Sequence, residues 1–176
     1  MKKTVLLAAA FVALIATSCR KIEMDGGTSV IQQPTTPGVQ TIVLKGRIDK
    51  DTVLREGNNY ILSGLVYIVN NATITIQPGV SVKADYTGAS VATLVITRGA
   101  KIIADGTQEK PIVFTSNSPV PRSGDWGGIV ILGRAKTNRT SEPTIEGGIG
   151  RPYGGTNDSD NSGVLKYVRI EYAGYA

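Results

Sequence analysis

Hydrophobic and polar residues alternate in short runs along most of the chain, and one pair of runs repeats. Residues 72–85 (ATITIQPGVSVKAD) align without a gap on residues 92–105 (ATLVITRGAKIIAD), at an offset of 20 residues. Alternation places every second side chain on one face of a strand, so each copy predicts two short strands. Gly79 and Gly99 separate the strands of each copy, where a sharp turn disfavours a Cβ. The predicted apolar face holds Ile74, Ile76, Val80, Val82, Leu94, Ile96, Ala100 and Ile102.

The other apolar runs extend this pattern over residues 41–176. They are Thr41–Leu44, Tyr60–Val69, Pro111–Thr115, Ile129–Leu132 and Val168–Tyr172. A repeat of about 20 residues in a strand-rich sequence is typical of stacked coils. We therefore predict an all-β fold, a right-handed parallel β-helix, with the two copies of the repeat one rung apart. A β-sandwich is the alternative, but its varied loops do not favour a gapless repeat.

The N-terminal segment is a candidate export signal. Lys2 and Lys3 precede the uncharged stretch 5–17, and small residues lead to Cys19, the only cysteine of the chain. The apolar run is shorter than the ~20 residues that span a bilayer, which argues against a transmembrane anchor. An ordinary signal peptide would not need the cysteine. The segment resembles a bacterial lipoprotein signal, so we predict a signal peptide over residues 1–18 and lipid attachment, including palmitate, at Cys19.

Residues 19–40 form the predicted link between the lipid and the folded domain. They are rich in Gly, Pro, Gln and Thr and lack apolar periodicity, which is typical of a flexible tether. Arg20 follows the cysteine, where an aspartate is associated with retention in the inner membrane. We therefore expect an outer-membrane lipoprotein, facing the periplasm or the cell surface.

Four sequence blocks together resemble a known family. They are YILSGLVYIVNNATITIQPGVSVKAD, LVITRGAKIIADGTQEKPIVFTS, GDWGGIVILGRAKTN and YGGTNDSDNSGVLKYVRIEYAG. They look like successive coils of right-handed β-helix lipoproteins and secreted proteins of Bacteroidota, a family of mostly unassigned function. The resemblance implies the fold and an envelope location. Members usually run further, so we expect this chain to be an N-terminal portion of a longer solenoid.

Composition excludes several classes of function. The chain has no histidine, which excludes a Ser-His-Asp triad and histidine-based metal sites. Without Lys2 and Lys3 the excess of basic residues is three, too small to indicate nucleic-acid binding. With a single cysteine, no intramolecular disulfide is available.

The glycine-rich loop 147–163 holds the candidate binding residues. Asn157, Asp158 and Asp160 could gather oxygen ligands for Ca²⁺, although the spacing is not that of an EF-hand. No other cofactor is indicated. Arg151 and Tyr153 are candidates for sugar binding, since loops commonly carry function. A plain surface loop is the simpler interpretation.

Three further residues have a functional and a structural interpretation. Asp85 and Asp105 occupy the same repeat position and could stack on adjacent rungs as a carboxylate pair. We favour solvated turn residues, because each lies near a glycine. Trp126 could offer a platform for a sugar ring, but its flanking glycines favour packing at a coil corner.

Two hypotheses for function follow. The first is a non-catalytic, lipid-anchored β-helix that presents a binding or structural surface to a glycan or a partner protein. The alternative is the N-terminal part of a β-helix polysaccharide lyase or hydrolase. Such an enzyme would need clustered carboxylates with a basic residue nearby, and the sequence shows no clear cluster of this kind, which places the binding hypothesis first.

Overall fold

A computed structural model describes residues 32–36, 38–88 and 90–175, with side chains from Gly38 onward. Cys19 and the predicted signal peptide lie outside the described residues. The described part contains strands and no helix, and so no helix able to span a membrane. The strands are β1 Gln32–Thr36, β2 Val39–Ile48, β3 Thr52–Leu54, β4 Asn59–Ile68, β5 Thr73–Ile76, β6 Ser81–Ala84, β7 Thr93–Ile96, β8 Lys101–Asp105, β9 Ile112–Ser116, β10 Gly128–Ile131, β11 Gly163–Lys166 and β12 Val168–Ile170.

Parallel pairing arranges these strands on three faces. Face 1 stacks the first halves of β2 and β4, then β6, β9 and β12. Face 2 stacks the second halves of β2 and β4, then β7 and β10. Face 3 stacks β3, β5, β8 and β11. The chain visits the faces in order: β2–β3 form coil 1, β4–β5 coil 2, β6–β8 coil 3, β9–β11 coil 4, and β12 opens coil 5. The fold is the predicted parallel β-helix.

The 20-residue repeat does not correspond to one coil. Ile74 in β5 stacks on Ile102 in β8, 28 residues later, whereas Leu94 in β7 stacks on Val66. One copy therefore joins face 3 to face 1, and the other joins face 2 to face 3. The prediction that the copies lie one rung apart is wrong.

Each copy contains a corner of the same kind, and this explains why their sequences are similar. Val80 N donates to Gln77 O at 3.3 Å, and Ala100 N donates to Thr97 O at 2.9 Å. The third residues of these turns, Gly79 and Gly99, have φ of 82° and 86°. A type II turn requires positive φ at this position, which favours glycine. Each copy of the repeat therefore corresponds to one strand–turn–strand corner.

Because the two copies of the repeat lie on different pairs of faces, Asp85 and Asp105 also lie on different faces. Asp85 follows β6 on face 1, where Oδ1 accepts hydrogen bonds from the backbone N and Oγ1 of Thr87 at 3.0 and 2.9 Å. Asp105 ends β8 on face 3 and forms an ion pair with Lys166 at 3.4 Å. They do not stack on adjacent rungs, and Asp85 has the turn contacts that the favoured interpretation expects.

The core fills the space between the three faces. Every residue of the predicted apolar face is buried. Trp126 is fully buried, lies 6.4 Å from the Phe114 ring with an 18° angle between planes, and donates from Nε1 to Glu171 O at 2.7 Å. Packing, the favoured interpretation for this tryptophan, is confirmed.

Three strands lie outside the predicted runs. β1 pairs antiparallel with β2 and lies within the predicted tether 19–40, of which residues 19–31 and 37 lie outside the described residues. β3 and β11 are short edge strands of face 3, and in each only two residues lie in register with inward residues of the neighbouring strand. Such strands are too short for alternation to be visible in the sequence.

Candidate functional site

A long connection between β10 and β11, residues 132–162, leaves the coil and packs on face 2; we call it the insertion. Val95 points outward from β7 yet is fully buried. The hydroxyl of Tyr67, on the same face in coil 2, donates to Ile149 O at 3.0 Å. The Arg151 guanidinium lies 4.8 Å from the centre of the Tyr67 ring, a cation–π contact. The insertion is therefore a folded layer that covers part of face 2 of the β-helix.

Two arginines fasten the insertion to neighbouring coils. Arg98 Nη1, just after β7, donates to Gly154 O at 2.9 Å and forms an ion pair with Glu142 at 2.7 Å. Arg134 Nη2 donates to Asn71 Oδ1 at 2.9 Å, which connects the insertion to the β4–β5 corner. Residues of coils 2, 3 and 4 are thereby held together at one edge of face 2.

The acidic and amide side chains of the glycine-rich loop have structural partners. Asp158 Oδ1 accepts from Lys136 N at 3.0 Å, and Lys136 Nζ lies 3.1 Å from Oδ2. The backbone and side-chain hydrogen bonds of Lys136 lower the pKa of Asp158 below its usual value. Asp160 Oδ2 accepts from Arg134 N at 2.9 Å, and Asn157 Oδ1 accepts from Ser159 N at 3.2 Å. These side chains shape the insertion.

No convergent metal site is found in the described part of the chain. Across those residues, no three acidic, cysteine or histidine side chains lie close enough to hold a metal ion. Each of the two loop aspartates uses a carboxylate oxygen on a backbone N–H. The Ca²⁺ hypothesis stays a prediction.

A groove lies between the insertion and the end of β7. Its main cavity has a volume of about 400 Å³, and Gly154–Thr156 continue it into a cavity of about 330 Å³. Arg139, Pro143 and Tyr153 continue it on the other side into one of about 340 Å³. We call this continuous depression the insertion groove. Its charged and aromatic lining consists of Arg98, Arg134, Lys136, Arg139, Glu142, Glu146 and Tyr153.

Positive charge predominates in the insertion groove. Four basic side chains line it against two carboxylates. Arg98 is paired with Glu142 and Lys136 with Asp158, but within the described residues the Arg139 guanidinium has no partner. A guanidinium of this kind, in a cavity that a tyrosine also lines, can bind a carboxylate or sulfate through two parallel hydrogen bonds. The groove is thus suited to an elongated ligand with negative groups.

Two of the binding candidates named from the sequence lie in the lining of this groove. Tyr153 lines the groove, and Asn157 lines its smaller end. Arg151 is instead engaged with Tyr67, and Asp158 and Asp160 brace the backbone. The prediction missed Arg98 and the segment 134–139, although its sequence RAKTNR carries three basic residues in six positions. That clustering is the signal that could have found the groove.

These features define a class, a parallel β-helix domain with one long insertion folded over a lateral face. The sequence profile of the pectate-lyase-like β-helix domain family matches residues 46–176, about three quarters of the chain. The protein belongs to that family. Searches among curated proteins and among solved structures found no match. Membership establishes the fold and leaves the activity open, because β-helices serve many functions.

Proposed function

We propose that this protein is a lipid-anchored β-helix of the bacterial cell envelope that binds an acidic glycan in the insertion groove. One observation carries the proposal: an elongated groove lined by four basic side chains, one of them without a partner among the described residues. A glycan is favoured over a partner protein because the site is a depression whose cavities have volumes of a few hundred Å³, the range of small-ligand sites. Stable protein interfaces usually bury about 800 Å² on each side.

Binding without catalysis is favoured by the carboxylates of the groove. Glu142 is the only carboxylate that lines the main cavity, and it is ion-paired with Arg98 at 2.7 Å. Glycoside hydrolysis ordinarily needs two carboxylates placed about the scissile bond. Glu146 lines the adjoining cavity and not the main one, so no carboxylate pair in the main cavity supports the alternative, the N-terminal part of a polysaccharide lyase or hydrolase.

The support for the lipid anchor comes from the sequence. The basic start, the short apolar run and the small residues before Cys19 support lipid modification and export. Two or more acyl chains give stable membrane attachment, which a single chain does not. The order of segments, lipid then tether then coils, would hold the groove away from the membrane surface. The resemblance to Bacteroidota lipoproteins supports the outer membrane as its location.

Calorimetry on the full chain, purified in a polyoxyethylene detergent, tests the groove. We expect oligogalacturonate to bind and maltohexaose to bind at least about tenfold more weakly, since only the former offers carboxylates. Arg139→Gln should weaken binding several-fold without affecting folding, because the replaced guanidinium has no partner in the described structure. Lys50→Gln, an exposed lysine outside the groove, is the matched control. Equal affinity for both oligosaccharides, or binding unaffected by Arg139→Gln, would contradict the proposal.

Metabolic labelling with palmitate in a bacterial host tests the anchor separately. The wild-type chain should be labelled and sediment with membranes, and Cys19→Ala should do neither. Ser18→Ala keeps a small residue before the cysteine and should behave as wild type. Label that persists in Cys19→Ala would refute lipidation at this residue.

A further inference from the structure

A second cavity, of about 350 Å³, lies at the corner between face 1 and face 2. Its lining combines acidic and aromatic side chains with small residues: Asp85, Tyr86, Ser90, Val91, Asp125 and Tyr175. We call it the corner pocket. Three successive coils build it, from the β6–β7 loop, the segment before β10 and the segment after β12. The insertion does not line it, so the pocket is independent of the groove.

The carboxylates of the corner pocket are fixed by their neighbours. Asp125 Oδ2 accepts from Ser116 Oγ at 2.5 Å and from Arg122 N at 3.0 Å. Asp85 Oδ1 is held by the two Thr87 hydrogen bonds. Each carboxylate keeps its other oxygen, Oδ2 of Asp85 and Oδ1 of Asp125, without a hydrogen-bond partner among the described residues. Two acceptor oxygens are therefore available to a ligand.

Both tyrosines of the pocket are exposed. Tyr86 is 45% exposed and Tyr175 is 62% exposed. The backbone of Tyr175 is held by a hydrogen bond from its N to Trp126 O at 3.2 Å, next to the fully buried Trp126 ring. The position of this tyrosine is thus tied to the core, while its side chain lines an open cavity.

From this combination we infer that the corner pocket binds an organic ammonium group. Two carboxylates line it and no basic side chain does; Arg122, whose charge acts on Asp125, is not in the lining. Aromatic rings attract such a cation through their faces, and carboxylates add charge-assisted contacts. Calcium ordinarily takes six to eight oxygen ligands, more than two carboxylates supply. Negative charge disfavours an acidic sugar here, in contrast to the insertion groove.

NMR titration of the full chain with choline chloride is the direct test. The uncharged isostere 3,3-dimethylbutan-1-ol is the matched ligand, and we expect it to bind at least about tenfold more weakly. Tyr86→Ala and Asp85→Asn should each weaken choline binding several-fold. Tyr167→Ala removes an exposed tyrosine outside the pocket and should have no effect.

Several results would overturn the inference. They are equal binding of the neutral isostere, choline binding unchanged in both pocket variants, or calcium chloride binding more tightly than choline at the same residues. Spermidine and a capped lysine derivative distinguish the source of the ammonium group, a free polyamine or a protein side chain. Choline binding should persist in Arg139→Gln, so failure here can be told apart from failure of the glycan proposal.

Discussion

The guanidinium of Arg151 lies 4.8 Å from the centre of the Tyr67 ring, and this contact joins the insertion of coil 4 to the side of coil 2. The Tyr67 hydroxyl adds a hydrogen bond to Ile149 O at 3.0 Å. Coil 3 lies between these coils, and its outward-pointing Val95 is fully buried. Tyr67 thus helps to position the layer that forms the groove, together with Arg98 and Arg134.

Loss of this contact should loosen the insertion while the coils stay folded. Tyr67→Phe removes the hydrogen bond and keeps the ring, whereas Arg151→Gln removes the cation–π contact; we expect the double variant to have the larger effect. Each contact contributes about 1 kcal/mol, which is enough to raise local opening several-fold. In the double variant, limited proteolysis within residues 137–150 should be faster than in wild type, while the midpoint of urea unfolding changes little. A parallel fall in the midpoint would show instead that the insertion and the coils unfold together.

Trp126 should be among the most costly core residues to remove. Its ring is fully buried against Phe114, so Trp126→Ala is expected to lower the free energy of unfolding by about 3–5 kcal/mol. Trp126→Phe keeps an aromatic ring but loses the hydrogen bond to Glu171 O, and should cost less. Urea denaturation followed by circular dichroism measures both. A cost below about 1 kcal/mol for the alanine variant would contradict the packing described.

Gly163, at the start of β11, should not tolerate a side chain. Its φ is 131°, and an added Cβ would overlap the carbonyl oxygen of Ile102 and lie 2.7 Å from the carbonyl carbon. Gly150, with φ of 60° and nothing within 4 Å, is the control for a positive φ without steric overlap. We expect Gly150→Ala to cost about 1–2 kcal/mol and Gly163→Ala at least about 2 kcal/mol more, measured by thermal unfolding. An equal loss of stability in the two variants would mean that the backbones of β8 and β11 can move apart to make room for the added Cβ.

Stability should depend on pH through Asp125. Its hydrogen bonds, from Ser116 Oγ first and from the Arg122 backbone second, lower its pKa below the usual 3.8. A group with a depressed folded-state pKa stabilises the fold above its unfolded pKa, and this contribution is lost as pH falls through the folded value. Asp125→Asn should therefore be less stable than wild type at pH 7, and the difference should vanish well below pH 3.8.

Glu109→Gln, an exposed acid without a hydrogen-bond partner among the described residues, is the control for that experiment. Urea midpoints of the three proteins between pH 2 and pH 7 supply the comparison. A constant difference between wild type and Asp125→Asn over this range would contradict the assignment.

The inward positions could be predicted from the sequence, but the stacking of the coils could not. Alternation identified Ile74 and Leu94 as core residues because it depends only on strand geometry. Which residue lies above them depends on loop lengths: rungs are separated by 18 residues between Thr41 and Asn59, and by 61 between Ile102 and Gly163. The 20-residue repeat marks equivalent corners, since the same turn requires the same glycine wherever it occurs.

The candidate site was less predictable because its residues are distant in sequence. Tyr153 was identified from its loop, but Arg98 follows β7 and meets the insertion only through the stacking of coils. Arg151 and Asp158 carry the charges expected of binding residues, but they contact other residues of the chain. Arg151 makes a cation–π contact with Tyr67, and Asp158 forms an ion pair with Lys136. Composition indicates which groups are present, whereas tertiary contacts decide which of them remain available to a ligand.

The insertion also has a mechanical consequence. Coils of a solenoid contact only their neighbours and can detach from an end one at a time. Here the bond from Tyr67 to Ile149 and that from Arg134 to Asn71 run from coil 2 to coil 4 across coil 3. Under tension these three coils should resist as a single unit, and a ligand that bridges Arg98 and Arg139 would raise the force at which they separate.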